Sequence, residues 1–526
     1  MSRPEVSTVP VERPGARAWL ALAVLVIPTL LVSIDNTVLG VALPELSAAL
    51  SPDASTLLWV VDIYPLVLAG LLVTMGTLGD RIGRRRLLMI GVAGFGVVSL
   101  AAGFATSAGQ LVAARALLGV FGAMLMPSTL ALLRTVFVDR VHRRLALAVW
   151  ATGFAAGAAL GPIVGGLLLE HFWWGSIFVM SVPPMALLLV VAPFLLPESR
   201  EPSPGRLDLV GVLLSLLAMG PLVLAVKLIG SSGFGPGAAA SVLVGAAAAV
   251  GFVLHYRRRV RAGLDPLIDL ELFARPVLRY SALANATTMF GLTGLLFFAA
   301  QYLQLVLGSS PLEAGLLLLP SFLVTIVAGL AAARLARRFA LHQLVSVGLA
   351  LVLAGFAVSL FLQVDSAVLL TTAAVLIGAG IGLSETVTND AILAAAPPEK
   401  AGAASAVSET AYEVGAVFGT AVVGGVLSAV YRDAVVLPGG APAAAGETLG
   451  SAVEAARSLP AGPAGELLAS GREAFVAGVD LAVGVAAAIV AVVLVTAGTG
   501  LWRAHRAVLA AGASGIPERA LQRSGR

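Results

Sequence analysis

Cysteine is absent from this 526-residue sequence. Disulfides, thiolate nucleophiles and Cys-ligated metals are therefore excluded. Histidine is scarce: His142, His171, His255, His342 and His505 are too far apart in the chain for a local metal motif. Charge is thin, at 12% of positions, where an ordinary soluble domain carries about 25%. No GxxxxGK[ST] loop is present, so nucleotide-driven work is not expected and no cofactor or metal is implied. Nothing in the pattern points to an enzyme. What remains is apolar: 59% of residues are hydrophobic and the mean hydropathy is +0.98. The 58 glycines sit inside apolar runs, which suits close helix packing in lipid.

A membrane-spanning helix needs roughly 20 mostly apolar residues. Fourteen stretches qualify: 18–43, 57–78, 86–106, 109–134, 145–169, 176–196, 208–228, 238–256, 279–306, 311–333, 341–361, 367–396, 401–431 and 475–503. The first is too long for a signal-peptide core and has no small-residue cleavage site at Leu43–Pro44–Glu45, so it reads as a retained helix. Of the 33 Lys and Arg, all but Arg115, Lys227, Arg432, Arg457 and Arg472 fall in alternate connections or the two tails. That alternation is the positive-inside pattern. It predicts a plasma-membrane protein with both termini cytoplasmic, and it accounts for the basic pI without nucleic acid. The connection 432–474 then faces outward. It is either a passive link or a lid, with short amphipathic helices expected at 450–458 and 464–475.

Two basic stretches echo each other. Arg81-Ile-Gly-Arg-Arg-Arg returns as Arg334-Leu-Ala-Arg-Arg, and Asp139-Arg-Val-His-Arg-Arg as Pro398-Glu-Lys, both at an offset of about 255 residues. The expected organisation is an all-α membrane protein made of two six-helix bundles plus two inserted helices. Residues 1–17 form a tail, 18–198 the first bundle, 199–278 the inserted pair with its linkers, 279–503 the second bundle and 504–526 a second tail. Parallel repeats around a central cavity are a transporter architecture.

Acids stranded in these runs are candidate functional groups, because lipid offers little water to stabilise their charge. Asp35 lies in the middle of Trp19–Leu43, and Asp62, Glu385, Asp390, Glu409 and Glu413 are similarly placed. Glu409 and Glu413 are four apart and share a helix face. If both face a cavity, repulsion and desolvation couple their protonation, so that they take up protons or hold a cation. Glu385 and Asn389 form a similar pair. Asp62 reads equally as a gate or an interfacial acid, and Asp390 as a cavity group or a solvated one. Arg115 must find carbonyls, water or an acid, either as a structural ion pair or as a tuner of a carboxylate. Tyr64, Tyr412, Phe290, Phe297, Phe298, Tyr302 and Phe418 are available to stack on flat cations or simply to pack. Gln301 and Gln304 are further polar candidates.

Glycine placement marks moving parts. In Gly76-Thr-Leu-Gly-Asp-Arg-Ile-Gly-Arg-Arg-Arg, Gly79 and Gly83 permit a tight turn, and Asp80 can pair with a loop Arg or meet a helix N-terminus. Gly76, Arg81 and Arg84 complete this candidate switch. Gly153, Gly157 and Gly161 lie four apart and line one helix face, followed by Pro162. The face is either static packing or a pivot.

The stretch 76–86 resembles the loop signature of the major facilitator superfamily. Leu31–Pro44 around Asp35, Leu111–Gly119 around Arg115 and Gly153–Gly166 resemble the first-, fourth- and fifth-helix motifs of its fourteen-helix drug:proton antiporters, the QacA-, SmvA- and EmrB-like family. Trp173–Pro183 is also similar, with Ser181 where that family usually has Asn. The resemblance implies proton coupling by Asp35, Arg115 and Glu413. It also implies recognition of a lipophilic cation by Glu409, Glu413, Glu385, Asp62, Tyr64, Tyr412 and Gln301. The expected protein is a monomeric antiporter in contact with membrane lipid, exporting drugs by alternating access. The other reading is a dedicated exporter of an endogenous metabolite or antibiotic.

Overall fold

The computed structural model describes residues 15–200, 208–232, 234–264, 266, 270–395 and 401–513. The tail before residue 15, the Pro398–Lys400 echo and the tail after residue 513 lie outside them. Backbone donors and acceptors have no water to bond in a bilayer core, so a spanning segment must satisfy them internally. Accordingly, the described residues form helices and turns with no strand, and fourteen segments are long and apolar enough to span. In chain order the first bundle holds α1 (Ala16–Leu50), α2 (Ala54–Ile82), α3 (Arg84–Gly103), α4 (Ala108–Val136), α5 (Arg140–His171), α6 (Ser176–Val179) and α7 (Val182–Leu195). The inserted pair is α8 (Leu209–Ser232) and α9 (Pro236–Arg261). The second bundle holds α10 (Pro276–Gln301), α11 (Pro311–Leu335), α12 (Leu341–Ser359), α13 (Ala367–Ala395), α14 (Ala401–Ala434), the short α15 (Leu449–Ala456) and α16 (Ala461–Ala513).

Local chemistry sets several boundaries. The Asp53 side chain caps α2 by accepting from Thr56 N–H at 2.7 Å, and Ser310 with Glu313 forms a capping box on α11. The sixth span is expected to run unbroken over 176–196. It divides into α6 and α7 because Pro183 and Pro184 sit in the first turn of α7, where a missing N–H costs least. The ninth span ends in a π turn over Tyr302–Val306.

The internal repeat is visible in the packing. α1 packs on α5, α2 and α3 on α4, and α3 on α7. In the second bundle α10 packs on α14, α11 and α12 on α13, and α12 on α16. These are the same span pairings, eight spans later. The halves meet along two equivalent seams, α5 against α11 and α2 against α14. Across them, Pro162 touches Gly315, and a β-carbon at Gly166 would stand 2.7 Å from Leu312 Cα. Gln304 Nε2 donates to the Val41 carbonyl at 2.8 Å. These contacts lie toward the end that carries residues 432–474.

That connection is folded. α15 matches the first expected amphipathic helix. The second does not stand alone, because 464–475 is the beginning of α16, a single helix of 53 residues. Leu467, Ala474 and Phe475 are buried, so an apolar stripe carries the helix past the bilayer surface without a break. The connection is pinned to the bundle where Ser47 Oγ meets Thr448 Oγ1 at 3.0 Å and where Arg472 Nε donates to the Leu305 carbonyl at 3.2 Å.

The inserted pair is clamped at its opposite end. Asp208, just before α8, accepts from Gly211 N–H at 2.9 Å and from His255 Nε2 at 2.7 Å, with Arg259 Nε at 3.4 Å. Burial pushes the Asp208 carboxyl up, but these donors outweigh it and hold it below the usual carboxylate range. The Asp208 carboxylate therefore stays ionised throughout the neutral range.

Candidate functional site

Three elements meet at one buried acid. Asp35 on α1 accepts from Arg115 Nη1 on α4 at 2.6 Å, with the side chains 3% and 2% exposed. Arg115 Nε also donates to the Val60 carbonyl of α2 at 3.2 Å, and its guanidinium carbon lies 4.4 Å from the Tyr64 ring centre. A buried ion pair persists only when its remaining donors are satisfied. Here the Val60 carbonyl accepts from Nε and the Tyr64 ring lies against the guanidinium, beside the single carboxylate. A change of charge on Asp35 would release Arg115.

A narrow cavity of about 70 Å³ opens beside this pair, between the halves. Asn36, Thr37, Val61, Pro65 and Arg115 line it from the first half, and Met289, Phe297, Tyr412, Glu413 and Thr420 from the second. Glu413 is buried. One turn away Glu409 is half-buried, as is Glu385 on α13, and Glu385 and Glu409 lie within electrostatic reach of each other. Tyr412 joins this group and stacks edge-on against Phe154 of α5, with ring centres 6.0 Å apart. The structure thus brings Asp35, Arg115, Tyr412 and Glu413 to one place, with Glu409 and Glu385 adjoining.

Other expected residues are placed elsewhere. Tyr64 is fully enclosed beneath Arg115 and does not line the cavity. Gln301 donates to the Phe297 carbonyl of its own helix at 2.7 Å. Asp390 is exposed. Asp62 is fully buried, paired with Lys227 of α8 at 3.0 Å, and does not line the cavity.

The glycine motifs are explained by close approach. Gly83 joins α2 to α3 at φ 110°, a conformation that disfavours a side chain. A β-carbon there would also stand 2.6 Å from Glu198 Oε1. At Gly79 a β-carbon would stand 3.1 Å from Leu87 Cδ2, whereas Gly76 meets Pro127 at an ordinary 3.7 Å. Asp80 takes its loop-Arg option, pairing with Arg84 at 2.9 Å. Arg81 sits in the same turn. On α5, Gly153 faces Val26, Gly157 faces the Leu30 carbonyl at 2.5 Å from a would-be β-carbon, and Gly161 faces Thr37. Gly157→Val is expected to destabilise the protein by roughly 1–3 kcal/mol, as overpacking does. Thermal unfolding of detergent-purified protein measures this, and a melting temperature equal to the parent's would refute tight α1–α5 contact.

Several residues escaped the sequence reading. Gly415 and Gly419 of α14 face Ala286 and Phe290 of α10 much as Gly157 and Gly161 face α1; their four-residue spacing was the signal. Glu198 accepts from Arg85 N–H at 3.1 Å and holds the start of α3. Asn285 Nδ2 donates to Asn389 Oδ1 and to Ser408 Oγ, each at 3.1 Å, tying α10, α13 and α14 together. Asp480, an acid inside the last apolar run, has one enclosed oxygen without a hydrogen-bond partner. The criterion that finds Asp35 also finds Asp480.

Two pseudo-equivalent helical halves enclosing a buried acid–base cavity define a multi-pass membrane transporter. The Major Facilitator Superfamily profile matches residues 25–420, and the chain belongs to this superfamily. It is 51% identical over 483 residues to the multidrug efflux pump LfrA of Mycolicibacterium smegmatis, covering 91% of this chain and 95% of that one. It is 37% identical to the methyl viologen resistance protein SmvA of Salmonella typhimurium, covering 88% and 93%. The tetracenomycin C resistance and export protein of Streptomyces glaucescens is 34% identical, with 92% of each chain covered. A bacterial homologue of the lysosomal transporter Spinster, solved inward-facing and unoccupied, superposes with a TM-score of 0.64 at 18% identity, covering 93% and 98%. At that identity it speaks for the fold alone.

Proposed function

We propose that this protein is a proton-coupled multidrug efflux transporter. Lipophilic cations and protons share the cavity between its halves. The observation that carries this reading is the buried Asp35–Arg115 pair 2.6 Å apart, beside a cavity that Glu413 lines from the opposite half. A substrate enters from the cytoplasm or inner leaflet. Ionised Glu413, with Glu409 and Glu385 nearby, holds its charge, and Tyr412 supplies an aromatic face. A proton arriving from outside neutralises the acids and displaces the cargo. Coupling follows if proton and cargo favour opposite conformations. Gly76–Arg86 and the glycine face of α5 serve as the switch and pivot.

On this reading the protein sits in the plasma membrane as a monomer surrounded by lipid, with both termini cytoplasmic. The contacts between halves near residues 432–474 then close the outer side. At about 70 Å³ the cavity is far smaller than a drug-sized site of roughly 300 Å³ or more, so cargo binding must part the halves further.

The test is a resistance and dye-efflux panel in an exporter-deficient host. Expression is expected to confer resistance to several unrelated lipophilic cations, with efflux stopping once a protonophore collapses the gradient. Full efflux after collapse would reject proton coupling. The 34% identity to the tetracenomycin C exporter favours a second reading, a dedicated exporter of one metabolite. Resistance confined to a single compound class would select it.

A further inference from the structure

The two seams between the halves are equivalent by the repeat, yet only one is covered. α8 packs on both α2 and α14, while among the described residues no helix packs comparably across the α5–α11 seam. α8 therefore lies across a joint between parts that must move relative to each other. Its two contacts differ in kind. Toward α2, apolar packing against Ile63 and Leu66 is joined by an ionic and aromatic contact. Lys227 Nζ lies 3.0 Å from Asp62 Oδ2, both side chains being 0% exposed, and 3.8 Å from the Trp59 ring centre. Toward α14 it is apolar, with Val223 and Val226 against Val417 and Ala421. Drawing Lys227 away from Asp62 would strand a charge in each wall, whereas apolar surfaces exchange one contact for another as they slide. The Asp208 clamp makes α9 follow α8.

Building on the alternating-access reading, we propose that the inserted pair is a shutter carried by the first half: the Lys227–Asp62 pair fixes α8 to α2, and α8 slides over α14 as the halves rock, keeping that seam sealed from lipid. Asp62 is then a positioning residue and does not touch cargo. The geometry explains why a buried acid of α2 does not line the cavity, and why a lysine is tolerated in an otherwise apolar helix. An intramembrane cation needs a fixed partner.

A chain without cysteine allows a direct test with paired cysteines. Leu66→Cys with Gly220→Cys joins α2 to α8, where a β-carbon at 220 would stand 3.9 Å from Leu66 Cδ2. Val226→Cys with Gly425→Cys joins α8 to α14, where a β-carbon at 425 would stand 3.7 Å from the Val226 carbonyl. Once oxidised, the first pair is expected to keep more than half of its ethidium efflux. The second is expected to lose about tenfold and to recover on reduction. Efflux kept by both oxidised pairs, or lost by the α2–α8 pair, overturns the proposal. As a second measurement, Asp62→Asn and Lys227→Met should each lower efflux, and the double variant should recover most of it. A double variant no better than Asp62→Asn alone would return Asp62 to cargo recognition and overturn the shutter. Parent efflux in the same cells, with and without the proton gradient, reports separately on the transporter reading.

Discussion

Asp35→Asn is expected to reduce pH-driven uptake of ethidium into inverted vesicles to background. Asparagine keeps the shape of the side chain and one acceptor for Arg115, but it cannot change charge. Under the coupling role proposed for Asp35, the group that would exchange a proton in each cycle is then fixed in one charge state. The substitution also leaves the Arg115 cation, 2% exposed, without its counter-charge. Breaking a buried pair by removing one partner costs roughly 3–5 kcal/mol, so part of any loss will be lower protein yield. A second variant separates the effects. Asp35→Asn combined with Arg115→Gln removes both charges, and is expected to restore yield in the membrane without restoring uptake. Uptake per molecule equal to the parent's in Asp35→Asn would eliminate this carboxylate as the coupling group.

What could be read in the linear sequence followed from how local each signal is. Apolar runs, their flanking arginines and four-residue glycine spacing are contained within one helix, so the fourteen spans, the alternation of charge and the Gly157–Gly161 face were legible. Partners across space were not. Arg115 was recognised as needing carbonyls, water or an acid, but nothing in its neighbourhood names Asp35, 80 positions away. Asp62 was grouped with the cavity acids because its helix points it into the membrane; only the packing of α8 on α2 shows that Lys227 occupies its carboxylate. Lys227 itself was noted only as an exception to the alternation of charge. The unbroken course of α16 was hidden for the opposite reason. Its early turns, rich in Ala and Gly, read as a separate short helix at 464–475, and only burial of Leu467 and Phe475 against neighbouring helices joins them to the span.

Glu413→Gln is expected to divide substrates by charge. Glu413 lines the cavity from the second half, facing Arg115 across it. When ionised it is the buried acid nearest the place a cation would occupy, whereas Glu409 and Glu385 are more open to solvent. At about 4 Å and an effective dielectric near 20, one ion pair is worth roughly 4 kcal/mol before desolvation is subtracted. A dication depends on more than one acid, so its resistance level is expected to fall to that of the host. A monocation should fall about tenfold, through the remaining attraction of Glu409 and Glu385. A neutral lipophilic compound has no charge to lose and should be exported nearly as before. Minimum inhibitory concentrations for the three classes, normalised to protein in the membrane, measure this. Because Gln is close in shape to Glu, a uniform loss across all classes would mean that Glu413 carries the coupled proton rather than the cargo's charge. Unchanged resistance to all three would remove it from the site.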